Sequence, residues 1–175
     1  MINVRKGTAH SLQQADVLGT VNADYAVVAG MVCVLDNSTG TIIPGAYSSS
    51  YSGDPVSAAS LLGFAINNQT DSDVIASGKI GLYTLDGNSV IETDQTGDTA
   101  ITTTNFPIGA NLTAVADGQV AVTTTKGDVV VGQVYGVRSF PSTNVVTDSN
   151  GNATVIQTFS NILAIKLASA GTIHA

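Results

Sequence analysis

Five short segments that set Asp or Asn close to Gly divide this chain: DNSTG at 36–40, LDGN at 85–88, ADGQ at 116–119, TKGD at 125–128 and DSNGN at 148–152. Asp and Asn tolerate left-handed backbone angles and Gly adopts them freely, so each segment reads as a hairpin tip. Between them, apolar residues alternate with period two, which is the spacing of a strand with one buried face. In KIGLYTL, Ile80 and Leu82 share one face, and Tyr83 and Leu85 the other. In VVVGQVYGV, the pattern puts Val129, Val131, Tyr135 and Val137 together. In NILAIKL, Leu163, Ile165 and Leu167 share a face with Lys166 opposite. Closely spaced short strands of this kind predict an all-β sandwich or barrel.

Composition agrees. Glu occurs once and Lys four times, so good helix formers are scarce. Two short helices are still expected. SLQQADVLG at 11–19 has Ser11 and Gln14 spaced as a capping box, and DPVSAASLLG at 54–63 has Asp54 as N-cap and Pro55 at the first helical position. A chain of 175 residues can bury a substantial core, and 43% apolar against 11% charged residues is the reverse of a disordered composition. With so few charges, much of the surface must be Ser, Thr, Asn, Gln and Gly, which suits contact with other protein.

A pattern also recurs. Gly30 precedes the strand-like MVCVL, a turn, TII, a loop and then LLGFAI. Gly109 precedes ANLTAV, a turn, VAVTT, a shorter loop and then VVGQVYGV. The match is one of order rather than identity. It suggests one all-β domain over 25–175, built of similar halves at about 25–105 and 106–175, behind an N-terminal arm of residues 1–24.

Charge excludes some functions. The net charge is −7, and nucleic-acid binding needs a basic patch to displace counterions. No run approaches the roughly 18 apolar residues of a membrane-spanning helix. MINVRKGTAHSLQQ lacks the apolar core of a signal peptide, so the chain is expected in the cytosol or in an assembly built there. Cys33 cannot form an internal disulfide, being the single cysteine, and inside MVCVL it reads as a small buried hydrophobe.

Reactive constellations are sparse. His10 and His174 lie near the termini, where a base is poorly held for triad chemistry. Asp36, Asp86, Asp117, Asp128 and Asp148 fall in turns, where bonding to local backbone accounts for them. Asp71 with Asp73, or Asp148 with Asn150 and Asn152, could share a calcium ion, but DSNGN carries Phe159 where an EF-hand loop has its twelfth-position Glu. No catalytic, cofactor-binding or metal residue is assigned. The densest positive charge is Arg5 and Lys6, and the preceding Ile2, Asn3 and Val4 suit a short added strand. Residues Ile2 to Lys6 therefore form a candidate docking arm.

In their order, these segments resemble the head decoration proteins of tailed phages. The resemblance rests on AGMVCVLDNSTGTIIPGA, LLGFAINN and ASGKIGLYTLDGNSVIE across about residues 25–92, and on GANLTAVADGQV with VVVGQVYGV, similar to related phage cement proteins. It implies a β-tulip-type domain without catalysis or cofactor. Such a protein is a homo-oligomer, with a trimer the guess, on the outer capsid surface of the virion, its N-terminal arm pairing with the major capsid protein. The chain is longer than simpler members, so residues from 138 onward are expected to form a lattice-contacting extension or a projecting hairpin tipped by TDSNGNAT. Alternatives are a tail-tube, fibre or adhesin module and, from another class, a β-rich hydrolase.

Overall fold

The computed structural model describes residues 2–6, 17–36, 39–45, 61–98, 100–147, 151 and 153–175. Among the described residues, eleven strands and one short α-helix follow in order: β1 (Ile2–Lys6), β2 (Val17–Thr20), β3 (Val32–Asp36), β4 (Thr41–Pro44), β5 (Leu61–Ala65), α1 (Ser72–Ser77), β6 (Lys79–Thr84), β7 (Val90–Thr93), β8 (Asn111–Ala114), β9 (Val120–Val122), β10 (Gly132–Thr147) and β11 (Ala153–Leu167). A five-stranded sheet runs β2-β6-β5-β3-β4, and a six-stranded sheet runs β1-β7-β11-β10-β8-β9. The expected all-β, sandwich-like fold is present. The main core unites Val32, Val34 and Phe64 of the first sheet with Ile91, Leu112, Leu163 and Ile165 of the second. A second cluster, Val27, Cys33, Ile42, Ala65, Ile80 and Leu82, lies on the opposite face of the five-stranded sheet.

Without β1, the order of the second sheet is that of the first with every strand advanced by five. The register repeats too. Cys33 faces Pro44 on one side and Gly63 on the other, as Leu112 faces Val122 and Gly132. Gly30 N–H donates to the Ala65 carbonyl at 2.8 Å, and Gly109 N–H to that of Val134 at 2.8 Å. Both glycines have left-handed angles, with φ 94° and 83°, which frees the chain to turn into the next strand. Parallel bridges Val21–Ile42 and Thr96–Val120 also correspond. Five residues of the second cluster, Cys33, Ile42, Ala65, Ile80 and Leu82, have register counterparts in the main one, Leu112, Val120, Val134, Leu163 and Ile165, and Val27 and Phe106 each stand three residues before the glycines Gly30 and Gly109. The two sheets thus repeat one strand order and register. The repeated strands are β2 to β6 and β7 to β11, so the repeat runs from Val17 to Thr84 and from Val90 to Leu167, where the sequence suggested about 25–105 and 106–175.

Other expectations change. Ile2–Lys6 and Val17–Thr20, expected in an arm outside the domain, are instead strands of the two sheets: β1 pairs with β7, and β2 with β6; residues 7–16 of that expected arm lie outside the described residues. Residues 17–19 and 61–63 of the expected helices are strand, since sheet pairing outweighs weak local propensity; 11–16 and 54–60 lie outside the described residues. The helix that does form, α1, is only six residues long and ends at Gly78, whose φ of 65° closes it. The 36–40 and 116–119 turns join hairpins β3–β4 and β8–β9. LDGN instead carries the chain from one sheet to the other, and TKGD leads from β9 to β10, which β8 separates. Tyr135 is half-exposed, because a bulge between Val134 and Gly136 brings Val134 and Val137 to the core side.

Candidate interaction surface

The halves differ most where β5–β6 and β10–β11 are joined. The first join runs through α1, whereas β10 and β11 continue outward as a ribbon of 16 and 15 residues. Near the sheet, β11 pairs with β7 as far as Leu163–Thr93, and β10 pairs with β8 at Gly132 and Gln133. Beyond Arg138–Ile162, nine further pairs from Ser139–Asn161 to Thr147–Ala153 continue as a two-stranded ribbon, with no third strand paired to them among the described residues. At ~3.3 Å per residue this arm reaches about 30 Å from the body. The expected tip, DSNGN, lies outside the described residues except for Gly151.

The root is fastened by specific contacts. Arg138 Nε lies 3.0 Å from Glu92 Oε1, pairing a half-exposed guanidinium with a carboxylate that has no exposure. Glu92 is fixed on β7, directly between β1 and β11. Ser139 Oγ donates to Asn161 Oδ1 at 2.6 Å, and Asn161 Nδ2 donates to the Ile101 carbonyl at 2.7 Å. This ties both strands of the arm to the loop before β8.

Opposed residues of an antiparallel pair share a face. Leu163, Ile165 and Leu167 point into the main core, and stepping outward by two along the same strand gives Asn161, Phe159, Gln157, Val155 and Ala153. The core-side face therefore continues past the body as an exposed stripe, with Phe159 and Val155 each 64% exposed and Val145 63%. Phe140 and Ile156 are exposed on the other face. Residues 139–147 and 153–161 hold no ionisable side chain. Exposed strand edges usually carry charges that block unwanted pairing. This ribbon is uncharged and mixes exposed apolar side chains with Ser, Thr, Asn and Gln, so it lacks that protection.

The candidate arm residues Ile2, Asn3, Val4, Arg5 and Lys6 form β1, the outermost strand of this same sheet, with Asn3 opposite Glu92. The aspartates serve local structure. Asp71 receives the Asn68 N–H at 2.9 Å and Asn68 Nδ2 at 3.2 Å. Asp86 receives the N–H groups of Asn88 and Ser89 and the Ser89 hydroxyl. Partial burial acts to raise the Asp86 carboxyl, but these bonds outweigh it and hold it below the ordinary carboxylate range. Among the described residues, no three His, Cys, Asp or Glu side chains gather where they could hold a metal; Asp148, Asn150 and Asn152 lie outside them. His174 is better held than its position suggested: Asn111 Nδ2 lies 2.7 Å from its Nδ1, and its backbone N–H donates to Asp128. His10 lies outside the described residues. Burial pushes the Cys33 thiol up to about 12, against a weaker lowering by the Ala65 backbone, so it stays protonated and inert.

Sequence reasoning reached the hairpin but not its fastening. Arg138 and Glu92 are far apart in the chain, and only the sheet order brings them together. No family model matches this chain, and no curated protein or solved structure matches it.

Proposed function

We propose that this protein is a structural component of a virus particle, a decoration protein that binds the outer surface of a tailed-phage capsid and cements neighbouring major capsid protein subunits. The observation that carries this reading is the uncharged, solvent-exposed ribbon held on a β-sandwich by the Arg138–Glu92 root. It supports a protein that works by presenting surface. The order of glycine-bounded strands, similar to that of phage decoration proteins, supports the same reading.

In this reading the mechanism is binding energy alone. A contact that exists only on the expanded shell stabilises that shell, because the ligand binds one state and not the other. The body grips the shell, with β1 as the strand nearest a capsid edge: Ile2, Asn3 and Val4 offer backbone groups along its outer side, and Arg5 and Lys6 offer charge to acidic capsid groups. The arm reaches across to neighbours, and the protein functions as a homo-oligomer on the lattice, without catalysis or cofactor.

Co-sedimentation with expanded and unexpanded shells tests this. Binding at least tenfold tighter to expanded shells supports the proposal; equal or absent binding to both overturns it. The length of the arm also favours a second reading, a tail-tube or fibre module. That module would polymerise alone and ignore shells.

A further inference from the structure

We propose that the core-side face of the arm is a two-fold contact between two copies of this chain. Along that face the cross-strand rows are Ser139–Asn161, Pro141–Phe159, Thr143–Gln157, Val145–Val155 and Thr147–Ala153. Apolar rows sit one step to either side of the Thr143–Gln157 row, and rows of small or polar residues lie beyond them. The sequence of rows reads alike in both directions. Turning a second arm over about an axis across the Thr143–Gln157 row lays Phe159 of one copy on Val155 of the other and Pro141 on Val145. Such self-complementarity is what an isologous contact requires.

Charge at the arm permits the same occupant. Each copy carries −7, so two bodies repel, whereas the paired stretches of the arm contain no charged residue and meet without bringing like charges together. One face about 30 Å long and roughly 10 Å wide offers a few hundred Å² per copy, below the roughly 800 Å² of a standard interface. The contact is therefore weak between free copies. It becomes effective when copies are held side by side, where effective concentrations reach roughly millimolar. The inference does not depend on what the body binds.

A cross-linking experiment on the full chain decides it. Gln157 lies on the proposed axis, and Thr158 points to the opposite face. With a short bis-maleimide, Gln157→Cys should yield covalent dimer at least tenfold faster than Thr158→Cys; the native Cys33 is buried and serves as the background control. Adding Phe159→Asp, or separately Val145→Asp, should suppress the dimer, while far-ultraviolet circular dichroism stays unchanged because both positions are exposed. Equal rates at 157 and 158, an unchanged rate in both Asp variants, or no dimer at millimolar concentration would overturn the proposal and assign the stripe to a different protein.

Discussion

Gly63 is the position where one methyl group should cost most. It lies in β5 opposite Cys33 and Thr84, with φ at +153°, a conformation that other residues rarely adopt. A Cβ there would stand 1.8 Å from the Tyr83 carbonyl oxygen and 2.6 Å from its carbon. Both are backbone atoms, so relief requires moving β6 away from β5, where Phe64, Ala65 and Leu82 are fully buried. Overpacking costs about 1–3 kcal/mol and the unfavourable φ about 1–2 kcal/mol more. Gly63→Ala should thus destabilise by roughly 3–4 kcal/mol, a large part of the ~5–15 kcal/mol that holds such a domain. At about 2–4 °C per kcal/mol, Tm should fall by roughly 10 °C. Gly136→Ala is the control: nothing lies within 4 Å of its added Cβ, and the change should stay within about 0.5 kcal/mol. Urea denaturation followed by circular dichroism measures both. A loss below about 1 kcal/mol for Gly63→Ala, or equal losses for the two, would refute the packing argument.

Arg138→Leu removes one cation from beside the buried Glu92 and should cost about 1–2 kcal/mol, less than breaking a fully buried pair because Arg138 is half-exposed; adding Glu92→Gln should recover part of the loss in the same denaturation assay. Deleting residues 1–6 removes the strand that pairs with β7 and should lower Tm of the free protein by several degrees; an unchanged Tm would mean that β1 adds nothing to the domain. Asp86, depressed in the folded state, gives stability that is full above its unfolded value of about 3.9 and is lost as pH falls through the lower folded value. Stability of the native protein should therefore fall more steeply below about pH 4 than that of Asp86→Ala, as acid-dependent urea midpoints will reveal.

The strands were legible wherever one face is buried and the period is regular: Leu163, Ile165 and Leu167 lie together in the core as NILAIKL predicts. Tyr135 fell on the wrong face because the pattern counts residues, and a bulge adds one that no local signal announces. LDGN and TKGD read as hairpin tips and are not, because their Asp and Gly signal a change of direction but not whether the next strand returns beside the last. The recurring order of glycines and strands was visible, whereas equivalence of register was not, since it is carried by backbone bonds between Gly30 and Ala65 and between Gly109 and Val134. Of the candidate surface, the projecting hairpin could be anticipated from residues 138 onward. Its Arg138–Glu92 fastening depends on β11 entering the sheet beside β7, which is a matter of topology. Ile2–Lys6 looked like a free arm because five residues show too little alternation to reveal the strand they join.

The proposed function puts this protein on the head surface of a virus particle. Negative-stain electron microscopy of native particles, with gold-labelled antibody to this protein, tests it most directly. The account predicts label spread over capsids and absent from tails. Label confined to tails or fibres, or particles that carry none, would contradict it.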